Sequence, residues 1–196
     1  MKRNVLTWVS VVAAISALTG CSTAPKTAEK KTELTSEVQA SLDAARATDP
    51  GLQHFFDTAA GYAVFPTVGK GAVGVGGAYG RGQLFERGQL VGYCSLTQAS
   101  IGLALGGQSY TELIFFEDQP ALDRFKSGNY AFAAQASAVA LKSGASANAR
   151  YSDGVAVFTL GEAGLMVEAS IGGQKFNYEP IPGLEGRTST VEASTR

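Results

Sequence analysis

Two thiols, one imidazole and a scatter of carboxylates are the side chains of this sequence that could do chemistry. Cys21 stands behind an uncharged, mostly apolar run, Val5 to Ala17, which opens with Lys2 and Arg3 and closes on Leu18-Thr19-Gly20. A basic start, an apolar core and small residues before a cut form the order of a leader, so residues 1–20 read as a segment that is removed. The run is too short to cross a hydrocarbon core of about 30 Å, which takes roughly 20 helical residues. It targets the chain and does not stay as a span. Cys94 has no histidine-bearing motif beside it, and a lone thiol in a strand packs as a small apolar group. His54, between Gln53 and Phe55, has neither metal ligands nor a nucleophile at local spacing and reads as a surface or boundary residue. Glu112, Glu117 and Asp118 could meet in a cleft, although spacing alone puts no two at catalytic separation. The sequence Gly69-Lys70-Gly71-Ala72-Val73-Gly74 spells a dinucleotide fingerprint, but pyrophosphate binding there needs a helix to begin, and Val73 to Gly80 continues as a strand. It reads as a glycine-rich hairpin. These residues point to no enzyme, no cofactor and no metal, and a metal-independent carboxylate enzyme ranks behind every binding role.

Leu18-Thr19-Gly20-Cys21 resembles the bacterial lipobox, in which the Cys thiol receives a diacylglyceryl group before cleavage. Several acyl chains on one residue hold far better than one, since each buried methylene is worth about 0.8 kcal/mol. Cys21 is therefore the expected lipidation site, and membrane lipid the expected partner of the mature chain. Ser22 follows where an Asp would signal inner-membrane retention, so the resemblance implies the outer membrane, facing the periplasm. Losing Lys2 and Arg3 from 16 basic and 17 acidic residues leaves 14 against 17, a net charge of about −3. That balance gives no reason to expect nucleic acid. With Cys21 a thioether, Cys94 has no partner for an internal disulfide, and the core must supply the stability.

The elements that position these residues follow from periodicity and punctuation. Residues 21–32 are small, polar and lysine-bearing, the composition of a tether. The domain is expected over 33–179, with a disordered Ser- and Thr-rich tail over 180–196. Leu34, Val38, Leu42 and Ala45 recur at helical spacing from Glu33 to Thr48. Asp49-Pro50 then marks a fresh N-cap, and Leu52, Phe55, Phe56 and Ala59 make the stripe of a second helix. Beyond Gly61 the pattern is β: Tyr62–Val68, Ala72–Tyr79, Gln83–Phe85, Leu90–Ser95, Ser100–Leu105 and Ser109–Phe116. Arg87-Gly88 reads as one hairpin turn and Gly106-Gly107 as another. Asp118 caps a mid-chain helix with Pro120 in its first turn and Leu122 and Phe125 facing inward. Tyr130 to Leu141, Gly154 to Leu160, Leu165 to Ile171 and Lys175 to Tyr178 follow as strands. The expected fold is α+β: two N-terminal helices, one mid-chain helix and a strongly twisted antiparallel sheet of many short strands that can curl towards a barrel. Gly61-Tyr62-Ala63-Val64-Phe65 matches Gly154-Val155-Ala156-Val157-Phe158, from duplication or from parallel structural need.

The run Gly61 to Gly71, the segment Gly74 to Gly82, Ile101 to Gln108 and the closing stretch Gly154 to Phe176 resemble the SYLF domain. Gly128-Asn129-Tyr130-Ala131-Phe132-Ala133-Ala134-Gln135 is similar to its bacterial lipoprotein branch. The resemblance runs from Leu52 to Tyr178 and implies a non-catalytic module that binds lipid or a membrane surface. Tyr93-Cys94-Ser95-Leu96 departs from the family's Trp-Ser-x-Pro element. By this resemblance the apolar face Leu52, Phe55 and Phe56 and the basic residue Lys70, joined by Arg81 and Arg87 in glycine-rich turns, are the expected lipid-binding residues. The alternative is an adaptor that holds an envelope protein partner by its strand edges or glycine-rich loops.

Overall fold

The computed structural model describes residues 23–128, 130–131, 137–161, 169–170 and 173–183, with backbone alone for 71–76, 100–108, 137 and 169–170. The leader and Cys21 lie outside the described residues, as does most of the expected Leu165–Ile171 strand.

Helix α1 spans Ala28–Thr48 and begins before Glu33, because the Thr27 side chain accepts from the Lys30 amide and caps it. It therefore takes in part of the stretch that reads as a tether. Its stripe Leu34, Val38, Leu42 and Ala45 is buried, as the spacing requires. Asp49 then caps a 3₁₀ turn, Pro50–Leu52, that runs straight into the short helix α2, Gln53–Thr58.

The β region is longer and simpler than its glycines suggest. Strands β1, Gly61–Glu86, and β2, Gln89–Phe116, form one antiparallel hairpin along their whole lengths. Its turn is Arg87-Gly88, with both residues at positive φ, 50° and 77°, as a tight hairpin turn demands. Gly69-Lys70-Gly71 and Gly106-Gly107, expected in turns, lie inside the strands, with Lys70 opposite Gln108 and Gly71 opposite Gly107. Register shifts between Phe65 and Val68, Val73 and Val75, and Leu84 and Phe85 bend the hairpin instead. The bend brings the two halves of β1 face to face. A Cβ on Gly82 would fall on the carbonyl oxygen of Val64, so glycine is there for close backbone approach and not for a turn.

Helix α3, Gln119–Lys126, is capped by the Asp118 carboxylate, which accepts from the Ala121 amide at 2.8 Å. Strands β3, Ser137–Ala140, β4, Val155–Gly161, β5, Ala169–Ser170, and β6, Gln174–Pro180, complete the described sheet. Its order is β1-β2-β4-β3-β5, with β6 on the tip half of β2, and among the described residues no ladder joins β1 to β5. The fold is α+β with a twisted, open sheet. The β3–β4 pair is parallel, against the expectation of an all-antiparallel sheet. A crossover over residues 141–154, through a 3₁₀ turn at Ala145–Asn148, connects them, and a parallel pair needs a connection of that length. The chain also stays on the sheet past Pro180, since the Ile181 amide donates to the Val91 carbonyl at 3.0 Å.

The base half of the sheet buries both faces. One face, with Tyr62, Val64, Leu113, Phe115 and Phe158, packs under α1 and α2. The other, with Ala63, Phe65, Ile114, Phe116 and Val157, packs on α3 and on Leu84, Leu96 and Phe176 of the folded-over half. The repeated pentapeptide flanks the same stretch of β2 on both sides, but one residue out of register: Val64 and Phe158 both lie opposite Leu113. Phe65 and Phe158 consequently enter opposite cores. A one-residue slip reverses every side chain. The two matching pentapeptides therefore occupy non-equivalent places in the sheet.

Candidate functional site

A groove of about 460 Å³ opens between α1 and the bend of β1. Pro25, Lys30 and Leu34 line one wall, and Thr67, Tyr79 and Arg81 the other. Tyr79 is 49% exposed, the large apolar side chain that the described surface leaves most open. The Arg81 Nε donates to its hydroxyl at 2.8 Å, fixing an aromatic ring and a cation as one unit. Glu33 and Glu37 lie on the helix wall, so the charge of the groove is mixed. The chain enters beside it: the Ala24 amide donates to the Glu179 carboxylate at 3.0 Å, and Pro25 is part of the lining.

The expected lipid-binding residues do not form one surface. Leu52 is fully buried and Phe55 nearly so. Phe55 stacks among Phe115, Tyr151 and Phe158, at centroid distances of 5.0 to 5.5 Å. Phe56 is half-buried against Tyr62 and Phe115, with the Arg46 guanidinium 4.2 Å over its ring. This face belongs to the core because α2 is too short to bury its stripe except against the sheet it precedes. Lys70 and Arg81 are half-exposed in strand β1, not in turns, and of the two Arg81 lines the groove. Arg87 is exposed at the hairpin tip. Next to it Glu86 pairs with Lys126 of α3 at 2.5 Å.

A second groove, of about 780 Å³, runs between α2 and the β3–β4 crossover and holds His54, Glu117, Ser146, Arg150 and Tyr151. Asp49 closes one end. Its carboxylate accepts from the Gly51 amide at 3.0 Å and the Ser146 amide at 2.7 Å, tying the two 3₁₀ turns together. Burial opposes its charge, yet these amides hold its carboxyl below the ordinary range. No described hydrogen bond joins His54 to Asp49 or Ser146. The three carboxylates that might have met are dispersed: Asp118 caps α3, Glu117 faces this groove and Glu112 is buried. Among the described residues no group of three or more His, Cys, Asp or Glu could hold a metal ion, and no helix is long and apolar enough to cross a membrane. Cys94 is buried, and burial pushes its thiol well above the usual range.

The feature that sequence reasoning missed is an interior polar cluster on the α3-side face. Gln174 Nε2 donates to the Glu112 carboxylate at 3.0 Å and to the Tyr110 hydroxyl at 3.3 Å, with all three residues buried. A partner 62 residues away in β6 leaves no local signal.

The chain is 32% identical over 129 residues to Beta cell expansion factor A of Aeromonas veronii. The aligned part is 65% of this chain and 49% of that protein, so the chain spans about half the length of the relative it matches. No protein-family model matches the chain.

Proposed function

We propose that this chain is an exported lipoprotein, anchored through Cys21 at the periplasmic face of the outer membrane, whose domain binds a lipid surface through the Tyr79 groove. The observation that carries the reading is the entry of the chain: Pro25 lines the same groove as Tyr79 and Arg81. An extended chain reaches at most about 3.6 Å per residue, so an anchor at Cys21 keeps Pro25 within about 14 Å of the bilayer. The face nearest the membrane then carries a half-exposed cation and an exposed tyrosine, a side chain with an apolar body and a polar tip suited to headgroup depth. The SYLF resemblance supplies the ligand class. The apolar contribution assigned from sequence to Leu52, Phe55 and Phe56 passes to Tyr79, since the former are spent on the core.

With a mature chain of net acidity, attachment rests on a tyrosine term that survives salt and a smaller term from Lys30 and Arg81 that does not. Glu33 and Glu37 in the same groove favour a second reading, an envelope protein partner with complementary charges. Co-sedimentation of a chain starting at Ser22 with phosphatidylethanolamine/phosphatidylglycerol vesicles, at low and high salt, separates the two. The expected result is sedimentation that Tyr79→Ala with Arg81→Ala abolishes. No sedimentation, with a specific protein recovered by cross-linking at Tyr79, would establish the adaptor instead. In cells, Cys21→Ser should abolish metabolic acyl labelling, and unchanged labelling removes the anchor.

A further inference from the structure

We propose that Glu112 is a proton-sensitive latch: neutral, its carboxyl holds the start of β6 docked across the sheet interior through Gln174; ionised, it lets that end of the strand open. The geometry is specific. Gln174 pairs with Gln98 on the tip half of β2, whereas Glu112 lies on the base half, so their 3.0 Å hydrogen bond ties the folded-over layer to the base layer. Phe65 of β1 and Thr159 of β4 are the cross-strand neighbours of Glu112, and Tyr110 precedes it on the same face. None is a cation. The other described titratable groups on this interior face are Cys94, Tyr130 and Tyr178, none of them a cation, and burial pushes Cys94 and Tyr130 further towards the neutral form. From α3, Lys126 pairs with Glu86, and Lys175 of β6 is exposed.

A carboxylate in such a place is held only by neutral donors, Gln174 Nε2 and the Tyr110 hydroxyl, with no cation among the described groups that face it. Glu112 Oε1, Gln174 Oε1 and Thr159 Oγ1 are buried without a hydrogen-bond partner; the carboxylate and amide oxygens only accept, and of the three only the Thr159 hydroxyl can also donate. A carboxyl proton supplies a donor to this acceptor-rich cluster, while a bare negative charge would have to be solvated by opening the layer. In keeping with this, burial raises the Glu112 carboxyl from its ordinary 4.5 to about 7, against the lowering contacts of Gln174 and Tyr110. The docked state therefore holds the proton more tightly than the open one. Docking is strongest below about pH 4.5 and weakens as pH rises through about 7.

Amide hydrogen exchange on the full chain tests this, read as protection factors so that the intrinsic pH dependence is divided out. Between about pH 5.5 and 8.5, protection in the β6 ladder around Phe176 should fall at least about tenfold relative to β4. In Glu112→Gln, a neutral isostere, it should stay level. A parallel pH trend in wild type and variant would overturn the latch. Should the variant not fold, the side-chain carboxyl of Glu112 in the wild type can be titrated by carbon NMR: a midpoint near 7 supports the proposal, and one below about 5 sinks it.

Discussion

Phe55 and Tyr79 are both aromatic, and the fold treats them oppositely. Phe55 sits on a six-residue helix wedged between α1 and the sheet, with three aromatic rings around it. Tyr79 lies on β1 between Ala78 and Gly80, in the wall of a groove that faces α1 without being filled by it, and is 49% exposed. An apolar stripe on a short helix says that something will cover it, not whether the cover is protein or lipid. The covering element decides, and here β1, β2 and β4 supply it before a membrane could.

Phe55→Ala should therefore produce the largest loss in this comparison. Removing a ring buried among Phe115, Tyr151 and Phe158 is expected to cost about 3 to 5 kcal/mol in urea unfolding, with the cavity contributing along with the lost transfer energy. A loss under about 1 kcal/mol would mean that α2 is not docked as described and would return Phe55 to the membrane-facing candidates.

Asp49→Ala comes next, because the carboxylate is buried and holds two backbone amides from separate 3₁₀ turns. The expected cost is about 1 to 3 kcal/mol. Its pH dependence runs opposite to that of Glu112. A carboxyl held below its ordinary 3.8 stabilises the fold above that value, and the contribution is lost as pH falls through the folded-state value. The acid limb of a stability profile measured from pH 2 to 6 should accordingly flatten in the variant.

Both Asp49 and Asp118 were legible from sequence because a cap is a local device: an acceptor side chain, then proline, then an apolar stripe. The Arg87-Gly88 turn was legible for the same reason. What escaped was whatever depends on a partner far along the chain. Gly61, Gly80 and Gly82 sit where the two halves of β1 touch, and nothing near them in sequence announces the other half. The parallel β3–β4 pair is hidden behind its crossover, and Glu112 looks like one more surface carboxylate until β6 brings Gln174 to it. The α+β class needs only the kinds of element present, whereas placing Leu52 and Phe55 on a surface required knowing which face is covered, and both are buried.

A smaller effect should come from the ion pair that fastens α3 to the hairpin tip. Lys126 and Glu86 are 24% and 17% exposed at their side chains, so the pair is partly screened, and Lys126→Met is expected to cost no more than about 1 kcal/mol. Raising salt should shrink the difference between wild type and variant in parallel unfolding curves. A difference that grew with salt would point to lost packing of the lysine stem instead.

The smallest expected change in stability is the one most informative about function. Tyr79→Ala with Arg81→Ala removes an exposed ring and the half-exposed guanidinium bonded to it at 2.8 Å, a contact that surface solvation renders nearly neutral to folding. Unfolding midpoints should shift by less than about 0.5 kcal/mol. If vesicle binding is lost at that cost, the two aromatic residues divide cleanly: Phe55 maintains the fold, and Tyr79 is free to act on something outside it. Should the double variant destabilise the protein by about 2 kcal/mol or more, Tyr79 would prove to be a packing residue as well, the contrast with Phe55 would collapse, and a binding defect in that variant could no longer be assigned to the groove.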